Sequence, residues 1–298
     1  MAGSPVVAQL ADFAEIVKPQ ERLAPFTLLK IGGPAEALVQ PRAVVELSAV
    51  LKLCMKAKIP YRILGGGGNV LVPDEGVAGV VVRLSAPAFA DVTVHGKRVR
   101  AGCGASLSSV ISQAARHNLA GLEALVGFPG TVGGALRLNA GDRSSDIGQF
   151  VRKVEVLDLR ADLQIHEHDE LRFSVGASNR DDPVLLSAEF QLESDRSDDI
   201  VKRLQKAWIQ HSRTHPHSFQ CASRVFRNPP GLNAATLIDQ CGLVGQRVGG
   251  AQISDRNANY VIAEPGTSAR DVHRLIDLVR AKVEERFHLE LDLAIAIW

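Results

Sequence analysis

The sequence predicts an α+β protein of two domains behind a short N-terminal segment, and three observations carry that reading. A chain of 298 residues is longer than one domain usually is. Apolar windows of period 2 and of period 3.6 follow one another along the whole chain, so strands and helices are mixed rather than segregated. A polar break, Asp195-Arg196-Ser197-Asp198-Asp199, separates a longer part rich in strand patterns from a shorter part with long helical ones. The expected division is 1–22 as N-terminal segment, 23–194 as first domain and 195–298 as second.

Taken in order, Val6–Val17 reads as a short amphipathic helix on the outside of the fold. Ala37-Leu38-Val39 is a strand, Pro41 a break, and Ala43–Lys58 a helix with Val44, Leu47, Val50, Leu51 and Cys54 on one face. Ile63-Leu64 resumes the sheet. Gly79–Leu84 and Val92–Ala101 are further strands, with His95-Gly96 a hairpin turn in the second. Ser106 starts a helix through His117, and 151–159, 164–168 and 184–192 are strands. After the polar break, Ser197 or Asp198 caps a helix over 200–212. The second domain continues with a helix over Ala234–Gln240 stopped by Gly242, and a strand over Tyr260–Ala263. A long helix from Ser268 to Phe287 follows, with Ser268 and Asp271 as a capping box. The alternation over 291–298 closes the chain as a strand.

Composition narrows the function classes. Apolar content of 46% and charged content of 22% suit a sizeable core. A net charge of +1 gives no general electrostatic attraction to nucleic acid or to an anionic membrane. Asp12 and Glu15 interrupt the apolar residues near the N-terminus, which does not read as a signal peptide, and no run approaches a membrane span. The four cysteines, Cys54, Cys103, Cys221 and Cys241, lack Cys-x-x-Cys spacing and read as free thiols in a reducing, cytoplasmic setting.

Two glycine-rich turns stand out. The strand pattern Tyr61–Leu64 breaks into Gly65-Gly66-Gly67-Gly68-Asn69 before Val70-Leu71-Val72. Farther on, Gly127-Phe128-Pro129-Gly130-Thr131-Val132-Gly133-Gly134-Ala135 leads to Asn139-Ala140-Gly141. Such runs turn backbone N–H groups toward a bound anion, usually phosphate; a plain tight turn is the alternative. Neither is a Walker A loop or a Gly-x-Gly-x-x-Gly fingerprint. Two of them in one segment suggest walls on either side of a long phosphate-bearing ligand.

These residues resemble the FAD-binding domain of the UDP-N-acetylenolpyruvoylglucosamine reductase family. The family's Gly-Gly-Gly-Ser-Asn-Leu-Leu-Val is matched from Gly65 to Val72, with Gly68 in place of serine, and its Gly-x-Pro-Gly-Thr-Val-Gly-Gly-Ala is unchanged from Gly127 to Ala135. Further matches lie at Leu23-Ala24-Pro25, Lys30-Ile31-Gly32-Gly33, Val225–Pro229 and Arg247–Ser254. The resemblance implies an FAD-binding α+β domain of the PCMH type followed by a smaller α+β domain. It implies FAD held by Gly65, Gly66, Gly67, Gly68, Asn69, Gly127, Pro129, Gly130, Thr131, Gly133, Gly134 and Asn139. It also implies NADPH as reductant and a UDP-sugar nucleotide or related small molecule as ligand. The family reaction passes hydride through the flavin to an enolpyruvyl double bond in peptidoglycan synthesis. An arginine and a glutamate steady the developing charge, and a serine donates the proton.

The sequence departs from the family at those three positions. The arginine of Tyr-Arg-x-Ser falls on Gly176, the serine of Gly-Ser-Val-Phe on Arg224, and the glutamate of Glu-Pro-Glu on Ala294. Glycine and alanine have no functional side chain, and arginine cannot give up a proton near neutral pH. Two function classes follow: a non-catalytic flavin- or nucleotide-binding relative, which the substitutions favour, or a reductase working through the neighbours Arg172, Ser223 and Asp292.

Other clusters are weaker. His211, His215, His217 and Cys221 have the residue types of a metal site, but Pro216 makes a solvated linker or nucleotide-contacting loop the preferred reading, and no metal is expected. Arg224, Arg227 and Arg247 form either a basic pocket for a diphosphate or a solvated surface. His166 and His168 read as solvated positions on a surface strand.

Overall fold

The strand Val184–Gln191 is buried almost throughout, and its position explains why. In the computed structural model, which describes residues 4–141, 145–174, 177–178, 182–216 and 221–298, this strand is central. The antiparallel sheet has the order Leu163–Glu167, Val151–Leu157, Val184–Gln191, Arg98–Gly102, Val92–His95. Val184 and Leu186 enter one apolar cluster, whereas Leu185, Ala188 and Phe190 enter another. A register shift between Leu185 and Ser187, the signature of a bulge, resets the alternation between them. A strand covered on both faces reads as a continuous apolar run.

One of those clusters contains the helix Leu107–Arg116, whose Leu107, Val110, Ile111 and Ala114 repeat at helical spacing. The other contains the helix Val44–Ala57 and the sheet Val17–Pro19, Ala35–Val39, Val77–Arg83, Tyr61–Leu64. Tyr61–Leu64 pairs parallel with Val77–Arg83, and the first glycine turn lies on the connection between them.

The remaining core is built on a four-stranded antiparallel sheet of order Ala222–Arg224, Tyr260–Ala263, Ala251–Ile253, Arg247–Val248. The helix Ala269–Phe287 covers it with Val272, Leu275, Ile276, Val279 and Val283, all buried. Ser268 and Asp271 form the expected capping box. The same helix end receives Asp74, whose carboxylate accepts from the N–H groups of Ala269 at 2.8 Å and Arg270 at 3.2 Å.

The chain forms two compact units that are interleaved in sequence, where the sequence-based division is linear. One comprises 1–20, 36–66 and 78–211; the other comprises 21–35, 67–77 and 212–298.

Three expected elements differ. The N-terminal helix is broken into Pro5–Gln9 and a 3₁₀ stretch Ala11–Ile16 with Phe13 outside helical geometry, and Val17 already belongs to a strand. Neither Ser197 nor Asp198 precedes its helix: Ile200 N–H already bonds to the Arg196 carbonyl at 3.1 Å, so the helix spans Ser197–Thr214. The C-terminal alternation forms a strand only at Ala296–Ile297, parallel to Val70–Leu71. The residues before it bond one at a time to the 225–227 segment.

Replacing Ser268 by Ala removes the acceptor of the Asp271 N–H. Unfolding by urea is expected to show a loss of about 1 kcal/mol; unchanged stability would mean that Asp74 alone suffices as cap.

Candidate functional site

In the first unit the second glycine turn is fastened by backbone bonds. Leu107 N–H donates to the Gly130 carbonyl at 3.1 Å, Val132 N–H to Ala105 at 2.9 Å, and Gly133 N–H to Cys103 at 2.9 Å. The first turn lies directly against it: a Cβ on Gly66 would stand 2.5 Å from the Gly130 Cα, and one on Gly65 would stand 2.8 Å from Thr131 Oγ1. The two motifs are therefore together, as two walls of one cradle require. Gly130 differs from its neighbours, because a Cβ there would meet nothing within 4 Å, and one on Gly134 would meet only Thr131 Oγ1 at 3.8 Å. These two glycines border open space.

Thr131 precedes the short helix Val132–Arg137 without capping it, and its hydroxyl is buried with no hydrogen-bond partner among the described residues. A buried hydroxyl without a partner costs free energy that a ligand can return. No backbone carbonyl among the described residues accepts from the N–H groups of Gly66, Gly67 or Gly68. Within the first unit, the unbonded N–H of Gly66, a waiting hydroxyl and two glycines open to a ligand fit a bound diphosphate ester such as that of FAD.

Some of the other glycines, and Asn139, also have packing roles of their own. Gly67 has φ +64°, and a Cβ there would fall 2.2 Å from the Phe26 carbonyl oxygen. Gly133 packs on Cys103. Both are small because the protein's own backbone approaches them. Asn139 is buried, and its Oδ1 accepts from Gly148 N–H at 3.1 Å, which makes it a turn fastener. Pro129 is exposed.

In the second unit, Arg224 and Ala294, the residues expected at the serine and glutamate positions, come together. Ala294 N–H donates to the Val225 carbonyl at 2.7 Å, one residue from Arg224. The Ala294 carbonyl accepts from Asn69 Nδ2 at 2.8 Å, so the first glycine turn ends against it. The Ala294 backbone is held in place, and only a methyl group projects from it. Gly176 lies outside the described residues.

The neighbours offered as replacements are placed differently. Ser223 is 2% exposed, and its hydroxyl donates to the Gly68 carbonyl at 2.8 Å. Its register partner is the core residue Val261, whereas Arg224 pairs with Tyr260, so Ser223 points to the opposite face of the strand. Asp292 is exposed, and its carbonyl accepts from Arg227 N–H at 2.9 Å. Arg172 is exposed in the first unit.

Three further readings change. Arg247 is tied to Glu264 at 2.8 Å and to Gln252 at 2.7 Å, which removes it from the proposed basic pocket. His211 lies with its ring over Gly127 and 5.4 Å from the Phe128 ring, while His215 meets the Tyr260 ring edge-on at 5.4 Å. His217 lies outside the described residues, and no metal-holding group of three ligands occurs among those described. His168 Nδ1 bonds to the Val151 carbonyl at 2.7 Å and His166 lies 3.6 Å from Asp182, so neither is merely solvated. Sequence reasoning missed Asn259 and Tyr260. Asn259 is buried and bonds both the N–H and the carbonyl of Phe226 at 2.9 Å, fixing the 225–227 segment. Asn257 and Asn259, at the end of the polar stretch Ser254–Asn259 and directly before an apolar strand, were the available signal.

These packing roles set an order of stabilities. Gly67→Ala, which forces both a left-handed alanine and a backbone overlap, is expected to lose at least about 2 kcal/mol. Ser223→Ala should lose about 1 kcal/mol through one hydrogen bond to Gly68. Denaturant unfolding of the two variants checks the order, and a harmless Gly67→Ala would show that Gly67 faces a ligand instead.

Comparison with known proteins follows the same division. The FAD binding domain family matches residues 35–166, and the family of the UDP-N-acetylenolpyruvoylglucosamine reductase C-terminal domain matches residues 215–298. The reductase of Anoxybacillus flavithermus is 34% identical over 284 residues, covering 94% of each chain. Reductase 1 of Bacillus anthracis is 38% identical over 280 residues, covering 93% of each. The crystal structure of the Thermus caldophilus reductase superposes with a TM-score of 0.79 at 31% identity, covering 95% of this chain and 98% of that one. The fold is thus an FAD-binding domain of the PCMH type with the reductase C-terminal domain, and FAD is the cofactor. Over nearly its whole length, this chain belongs to the UDP-N-acetylenolpyruvoylglucosamine reductase family.

Proposed function

We propose that this protein is a flavin-binding member of the family that holds a sugar nucleotide but does not reduce it. The observation that carries the reading is the placement of Arg224 and Ala294. Both lie on backbone that is tied together, with Asn69 bonded to the Ala294 carbonyl, and neither offers the side chain the family reaction uses. Bound FAD supplies the hydride-transfer chemistry of the family. The protein's part would be to steady a carboxylate-stabilised enolate and to deliver a proton to the adjacent carbon. Ala294 offers no charge or hydrogen bond, and Arg224 holds its proton throughout the working pH range. Ser223 is committed to Gly68 on the other face of its strand.

Flavin retention rests on a separate observation, the unpartnered Thr131 hydroxyl beside Gly130 and Gly134. Thr131→Val should leave the apoprotein as stable or slightly more stable, because a buried polar atom is removed, while weakening FAD binding by about tenfold. Gly134→Val should abolish FAD binding with the fold kept, since its Cβ would meet only Thr131 Oγ1, at an ordinary contact distance of 3.8 Å. Flavin absorbance after reconstitution, with circular dichroism as the folding control, reads both. Full flavin binding by Gly134→Val would contradict the cradle.

For turnover, the FAD-loaded protein is expected to give no reduction of UDP-N-acetylenolpyruvoylglucosamine, while slow NADPH oxidation by the flavin persists. Gly176→Arg, Arg224→Ser and Ala294→Glu introduced together should raise substrate reduction, and each alone should do little, because such residues act as a unit. Substrate turnover by the unmodified protein on the order of 1 s⁻¹ would overturn the reading.

A further inference from the structure

The sheet of the second unit has one face in the apolar core, where Val261, Ala263, Ala251 and Ile253 lie. The opposite face carries Ala222, Arg224, Tyr260, Ile262 and Gln252. Arg224 and Tyr260 are directly opposed across the strand pair, which places their Cβ atoms about 5 Å apart. Their polar ends have no partner: among the described residues neither the Arg224 guanidinium nor the Tyr260 hydroxyl has a hydrogen bond or an ion pair.

The surroundings hold the pair in that state. The His215 ring stands edge-on against Tyr260 at 5.4 Å, and the His215 carbonyl accepts from Arg256 Nη1 at 3.2 Å, so the phenol ring is braced from its side. Burial pushes the Tyr260 phenol above its ordinary pKa, and the Arg224 charge acts in the opposite direction. The hydroxyl is therefore a neutral donor at pH 7 within electrostatic reach of the guanidinium. Gln252 and Arg247, farther along the same face, are bonded to each other, and Arg247 is also paired with Glu264. Ala222 and Ile262 are apolar. What is left is one cation and one neutral donor beside an apolar floor.

Two donors without an acceptor call for an anion. A guanidinium fork matches the two coplanar oxygens of a carboxylate, and a single positive charge suits a monoanion better than a phosphate dianion. We propose that Arg224 and Tyr260 together form a receptor for the carboxylate of a small aliphatic acid group. The receptor itself stands on this pair; that the acid is borne by a sugar nucleotide rests on the function proposed above. The arginine that removes a proton donor from this position thereby supplies a binding group.

The test uses the full-length, FAD-loaded protein with 13Cζ-labelled tyrosine. The chain has two tyrosines, Tyr61 and Tyr260, so Tyr61 is an internal reference. Titration with lactate should move the Tyr260 signal saturably and leave Tyr61 in place. Arg224→Ser should weaken the response at least tenfold, and Arg224→Lys should restore part of it. Inorganic phosphate binding more tightly than lactate would overturn the carboxylate assignment, and no response of Tyr260 to lactate would overturn the receptor. Calorimetry then compares UDP-N-acetylmuramate, which carries a carboxylate, with UDP-N-acetylglucosamine, which does not. Arg224→Ser should weaken only the former, by about tenfold, or about 1.4 kcal/mol. Equal weakening of both would overturn the receptor. Lactate binding with neither nucleotide bound would keep the receptor and remove the sugar-nucleotide reading.

Discussion

The contact on which the functional architecture depends is the approach of backbone to backbone at the glycine turns. Gly66 meets Gly130 in one unit, and Gly67 meets Phe26 and Thr27 in the other, at separations no side chain would permit. Within the second unit, three single hydrogen bonds fasten other segments to the first of these turns. Leu28 N–H and the Ser223 hydroxyl hold the carbonyls of Gly67 and Gly68, and Asn69 reaches Ala294. Glycine is thus used here in two ways, to let the chain close on itself and to leave a space that it does not fill. Gly130 and Gly134 belong to the second kind.

How much of this was legible in the sequence follows from the range of each interaction. The hairpin at 96–97, the helix over 234–240 and the capping box at Ser268 are set by residues within one or two turns, and the chain's own pattern marks them. The C-terminal alternation failed because 291–295 take their backbone partners singly from a distant segment rather than from a strand edge. Two glycine-rich runs announced a ligand, but their packing duties could not be read, since Phe26 approaches Gly67 and Cys103 approaches Gly133 only in the folded chain. Tyr260 passed as one more apolar residue of a strand until its register with Arg224 was known.

Strand parity decides more than residue type at 223 and 224. Ser223 and Arg224 are neighbours in the chain, and the displacement of one residue turns the serine into the core. There it does useful structural service by holding Gly68. A side chain one position away in sequence is therefore on the far side of the sheet in space, and proximity along the chain is no substitute for facing.

The interleaving of the two units bears on how the molecule is made. Residues 21–35 and 67–77 emerge from the ribosome early, yet the strands and helix they pack with, in 212–298, are synthesised last. Leu29, Ile31 and Leu71 must wait, unburied, while the whole intervening length is translated. Such long-range closure slows folding and leaves apolar segments open to capture by chaperones or by other nascent chains. The first glycine turn straddles this boundary in time as well as in sequence, because Gly66 can settle on Gly130 before translation ends and Gly68 cannot be fastened until Ser223 arrives. The Gly68 end of the turn is therefore completed only at the close of synthesis.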